Sequence, residues 1–88
     1  MKPRLKITGA GNVVVPAYLA LQKRGYAVRR ERQGGETTVW IAQSESIEVR
    51  ADDPATLLSL VGIAETRGER WEASDDEIRD FLNQFGAA

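Results

Sequence analysis

The 88-residue chain contains no cysteine and no histidine. Those two absences exclude a disulfide framework, a thiolate or histidine zinc site, a cysteine nucleophile and a histidine general base. No apolar run approaches the ~20 residues needed to cross a bilayer. Nothing behind Met1-Lys2-Pro3-Arg4-Leu5-Lys6 has the apolar stretch of a secretory signal. The expectation is a cytoplasmic protein that does not engage a membrane. What is present is ordinary for a folded domain: 42% hydrophobic and 28% charged residues. A chain of this length buries only ~60–65% of its unfolded surface, which leaves room for one core. Residues 1–88 are therefore read as one small domain.

The formal net charge of −1 conceals a division. Residues 1–34 carry +7, through Lys2, Arg4, Lys6, Lys23, Arg24, Arg29, Arg30 and Arg32 against Glu31, and residues 35–88 carry −8. Such a split marks a nucleic-acid face, a dipolar partner surface, or two halves whose charges cancel when they fold together.

Hydrophobic periodicity and turn residues divide the chain into short elements. Leu5 and Ile7 alternate with Arg4 and Lys6, as in a short strand that Gly9-Ala10-Gly11-Asn12 would end. A helix is expected from about Pro16 to Arg24, burying Tyr18, Leu19 and Leu21 and stopped by Gly25. Residues 26–32 and 37–42 read as a hairpin about Gly34-Gly35, and residues 47–51 as a third strand after Ser44-Glu45-Ser46. Asp53-Pro54 opens a strongly apolar helix over 54–67, in which Gly62 would allow a close backbone approach. Ser74 and Glu77 form a capping box for a last helix over 75–86, where Ile78, Phe81, Leu82 and Phe85 make one stripe. The fold class that follows is α+β. A three- to four-stranded antiparallel meander carries the two C-terminal helices on one face, with the N-terminal helix at an edge or on the other face.

Turn length sets which residues share a face. A two-residue Gly34-Gly35 loop and a three-residue Ser44–Ser46 loop pair Arg29 with Trp40, Val28 with Ile41, Ile41 with Val49 and Trp40 with Arg50. Val28, Val39, Ile41, Ile47 and Val49 then form the core face. Trp40 is placed between Arg29 and Arg50 on the polar face, and these three residues are the candidate binding surface. The same arrangement describes a plain cross-strand ladder, with arginine stems over an indole, or a base-stacking platform.

Lys6-Ile7-Thr8-Gly9-Ala10-Gly11-Asn12-Val13-Val14 resembles the opening of a Rossmann dinucleotide-binding fold, with Glu31 as the acid that would hold a ribose. That resemblance implies a nucleotide-binding enzyme acting through Gly9 and Gly11. It spans residues 4–32, and the chain departs from the pattern at Val14, which stands at the third glycine, and at Pro16. The acidic groups Asp52/Asp53 and Asp75/Asp76/Asp80 lack the spacing of a calcium loop and suit helix caps. Ser44 and Ser46 have no histidine to activate them. No cofactor, metal or catalytic set is implied. The expected function is a non-catalytic protein-binding or regulatory module, such as an immunity- or antitoxin-like inhibitor or an accessory subunit. Its partner is another protein or a second copy met through a sheet edge. Nucleic acid bound by the basic N-terminal third and Trp40 is the alternative, against which a pI near 5.4 argues.

Overall fold

The computed structural model describes residues 3–86. A single 3₁₀ turn, Gly11–Val13, leads into α1 (Val14–Lys23). The meander β1 (Ala27–Gln33), β2 (Thr37–Gln43) and β3 (Glu48–Ala51) follows, then α2 (Pro54–Arg67), a 3₁₀ turn at Gly68–Arg70, and α3 (Asp75–Phe85). The sheet is antiparallel in the order β1-β2-β3, so β1 and β3 are its edges. The fold is α+β, a three-stranded antiparallel meander with one N-terminal and two C-terminal helices.

The helix ends follow from local chemistry. Gly25 takes φ +91°, a conformation that costs a residue with a Cβ. It lets the Tyr26 N–H bond Leu21 O and the Gly25 N–H bond Gln22 O, both at 3.0 Å, so two end carbonyls of α1 are satisfied. At the start of α2, Asp53 Oδ1 accepts from the Thr56 N–H at 2.8 Å, with Pro54 in the first turn. Ser74 and Glu77 make the reciprocal capping box of α3.

The core is small. Leu21 of α1, Leu57 and Val61 of α2, Ala42 of β2 and Tyr26 form one buried cluster, with Val28, Trp40, Val49 and Ala51 packed against it. Helices α1 and α2 therefore share one face of the sheet, with α1 over the edge strand β1 and not on the other face. On α1 the buried positions are Ala17 and Leu21; Tyr18 is half-buried and Leu19 exposed. The Tyr26 hydroxyl donates to Glu65 Oε2 at 2.9 Å, and Arg24 pairs with Glu65 Oε1, fastening the end of α1 to α2.

Three expectations are corrected here. Residues 4–8 form no strand, and Leu5 and Ile7 are exposed. A Cβ at Gly62 would meet nothing within 4 Å, so that glycine permits no close approach. Helix α3 has its apolar stripe but buries no side chain against the sheet. Its first turn is instead held at the end of α2 by Arg67.

Candidate functional site

The hairpin register decides which side chains meet. Gln33 pairs with Thr37, so the first loop holds Gly34, Gly35 and Glu36 rather than two glycines. The second turn is closed by the Ser44 N–H donating to Ile47 O at 2.8 Å, which leaves Glu45-Ser46 at its tip. Each ladder is thus offset by one residue from the expected pairing, and a one-residue slip moves every side chain of a strand to the opposite face. Trp40 pairs with Arg30 and Ala51, while Ile41 pairs with Arg29 and Arg50. The expected trio is divided: Trp40 sits on the helix-covered face, and Arg29 and Arg50 flank Ile41 on the other.

That other face is a polar layer over Ile41 and the half-buried Val39. Ile41 has no exposed surface, and its neighbours on both ladders are the long arginine side chains. Arg29 Nε donates to Glu31 Oε2 at 2.8 Å and its Nη1 to Gln43 Oε1 at 2.9 Å. Arg50 Nε donates to Glu48 Oε2 at 3.3 Å. The Arg29 hydrogen bond is the main cause that holds the Glu31 carboxyl below its ordinary range, with the charges of Arg29 and Arg50 adding to it. Ile41 is covered while each guanidinium keeps a polar partner at the surface, the arrangement that long amphipathic stems favour.

On the helix-covered face, Trp40 is half-buried, and the Arg30 guanidinium lies 5.4 Å from its ring centroid. At this distance a cation over an indole is worth ~0.5–1 kcal/mol when exposed. The ring forms part of a groove of about 450 Å³, walled by Val14, Val15 and Tyr18 of α1, Val28, Arg29 and Arg30 of β1, and Pro54. Val15 is 62% exposed, so the α1 wall presents aliphatic surface beside the indole. A polar concavity lined by Arg30, Glu31, Arg32 and Thr38 continues toward the hairpin tip. Arg30 and Arg32 lie on the same face as Trp40. Among the described residues neither has a carboxylate within ion-pairing distance, whereas Arg24, Arg29, Arg50, Arg67 and Arg79 each do.

The remaining polar candidates have structural partners. Asp53 caps α2, and Ser44 Oγ accepts from the Ile47 N–H at 3.2 Å. Glu77 Oε1 accepts from the Ser74 N–H and from Arg67 Nη2, each at 2.9 Å. The Ser74 bond first, and the Arg67 guanidinium second, hold the Glu77 carboxyl below its ordinary range. Gly9 and Gly11 follow no strand, and the next strand after α1 enters an antiparallel hairpin. The parallel βαβ unit that a dinucleotide site of the resembled kind requires is therefore not formed by these elements. Among the described residues no cluster of three acidic side chains is placed to hold a metal ion, and no helix is long and apolar enough to cross a membrane.

Sequence reasoning missed Arg30 as the partner of Trp40, and Val14, Val15 and Tyr18 as the groove wall. The available signal lay in Ala42, a small residue that lets helices approach a sheet and that shares Trp40's parity on β2; Ala51 joins that face by pairing with Trp40. No protein-family model matches the chain, and no curated protein or solved structure matches it either.

Proposed function

We propose that this chain is a non-catalytic binding module that holds a segment of another polypeptide in the groove between α1 and the sheet, as an inhibitor-like regulator or an accessory subunit would. The observation that carries the reading is the half-buried Trp40, capped by Arg30 and adjoining the exposed aliphatic wall of α1. Tryptophan and arginine set at the base of a partly dry groove are the residue types that dominate interface hot spots. Arg30 and Arg32, without carboxylate partners among the described residues, specify the bound segment: apolar residues next to an aspartate or glutamate. Arg50 takes no part in this contact, and Arg29, although it borders the groove, has its guanidinium engaged with Glu31 and Gln43 on the opposite face.

A peptide display library panned against the protein tests the reading. Enriched peptides are expected to carry a carboxylate flanked by apolar residues. Their affinity should fall by about 30-fold or more with Trp40→Ala, the ~2 kcal/mol expected of a hot spot. It should fall further with Arg30→Glu and hold with Arg50→Ala. Peptides that bind all four proteins equally would refute the groove. The nucleic-acid alternative is tested by a gel shift at low salt. Against it stand the acidic pI and a Trp40 ring already packed on the core and covered by Arg30.

A further inference from the structure

The accessible surface of the chain is 7475 Å². A compact monomer of 9.7 kDa exposes about 5,100 Å², so this chain shows roughly 2,300 Å² in excess. Much of that excess lies on two segments that bury nothing, residues 3–10 and α3. Helix α3 presents Ile78, Phe81, Leu82 and Phe85 at 47%, 54%, 42% and 66% exposure. Eleven residues fall below the ~12–15 at which an isolated helix holds in water, so α3 depends on a surface to lie against. At its own root the chain carries a matching concavity, a groove of about 610 Å³ between α2 and β3. Ile47, Val49, Leu60, Ile63 and Trp71 supply its apolar lining.

From these features we infer that the protein is a two-fold dimer in which each copy lays α3 into the α2–β3 groove of the other. The tether explains why the helix does not fill its own groove. Arg67 donates to Trp71 O, Glu72 O and Glu77 Oε1, which fixes the first turn of α3 at the end of α2 and leaves its stripe exposed. A foreign partner would need to supply both a helix and a groove; a second copy supplies both by symmetry, and the exchange closes. The area suits a stable pair. Four half-exposed apolar side chains on each helix, roughly 100 Å² apiece, give about 800 Å² from the two helices, and the groove walls they cover bring the total past the ~1,000 Å² that a specific interface needs. Asp76 and Asp80 lie on the side of α3 away from the stripe, so docking buries neither carboxylate.

The absence of cysteine makes the test clean. In sedimentation velocity at high micromolar concentration, the full chain should run at twice the 9.7 kDa of one copy. Phe81→Asp should return it to one copy, weakening association by at least about 100-fold, as expected of a central interface aromatic. Because α3 contributes nothing to the core, that variant should keep the cooperative urea unfolding of the folded sheet. If it does not, the placement still stands or falls on cross-linking. An Ile63→Cys copy mixed with a tagged Leu82→Cys copy should give the mixed cross-linked species. A wild-type monomer, a Phe81→Asp dimer, or cross-links confined to single chains of the doubly substituted Ile63→Cys, Leu82→Cys protein would each overturn the exchange.

Discussion

Ile41 offers the sharpest test of how this sheet is assembled. Ile41→Ala removes three carbons from a side chain with no exposed surface. At ~0.8 kcal/mol per buried methylene the transfer loss alone is about 2.4 kcal/mol. The Arg29 and Arg50 stems can settle into part of the space, so the total belongs in the lower half of the ~2–5 kcal/mol range for such truncations, about 2–3 kcal/mol. With a urea slope near ~1 kcal/mol/M for a chain this small, the unfolding midpoint should fall by about 2–3 M. The double substitution with Arg29→Ala discriminates between registers. Arg29 stands directly opposite Ile41 on the same face, so the two effects should couple by at least ~0.5 kcal/mol. In the register that pairs Val28 with Ile41, the two side chains lie on opposite faces and their effects would add. Additivity within error, or a loss under ~0.5 kcal/mol for Ile41→Ala, refutes the account of this face.

Other consequences are checked by the same unfolding assay or by spectroscopy. Gly62 lies within α2 with open space where a Cβ would stand, so Gly62→Ala should stabilise the protein by about 1 kcal/mol in urea. Gly25 sits at φ +91°, and Gly25→Ala should cost about 1–2 kcal/mol by the same measurement. The Glu77 carboxyl titrates below its ordinary value of 4.5 in the folded chain. Its contribution is therefore complete above that value and disappears as pH falls through the lower folded value, so the helical signal of α3 should decline over that acid range. Glu77→Gln should flatten the decline, and an unchanged profile would refute the role given to the capping box.

Elements were legible in the sequence where a few adjacent residues decide the outcome. Gly25, Asp53-Pro54 and Ser74/Glu77 act within one turn, and the helices begin or end where those residues imply. Pairing was less legible because it depends on a choice made at a turn and propagated along the whole strand. Gly34-Gly35 invites a two-residue loop, and both glycines do take positive φ. Glu36 nevertheless joins the loop, and every partner shifts by one. The expected faces then fail with the register, because placing Arg29 and Arg50 on a polar face beside Trp40 treats them as charges alone. Their stems are apolar, and Glu31, Gln43 and Glu48 hold the guanidinium groups at the rim. The stripe of α3 was equally plain in the sequence, but a periodicity states only that a face seeks cover, not which molecule provides it.

The same distinction bears on the charge division of the chain. Folding cancels part of it: Arg24 pairs with Glu65 across the two halves, and Arg50 of the second half contributes to the field at Glu31 of the first. The remainder is left at opposite places in the fold. Arg30 and Arg32 line the Trp40 face of the hairpin, while Asp75, Asp76 and Asp80 gather on α3, where Asp76 pairs with the nearby Arg79. Charges retained without internal partners steer association and set orientation more than they add stability. The basic residues lie beside the groove proposed to receive a carboxylate. Asp76 and Asp80 lie behind a stripe proposed to dock by apolar contact, where they keep the uncovered helix soluble. Each charged region is thus adjacent to the uncovered apolar surface whose partner it would select.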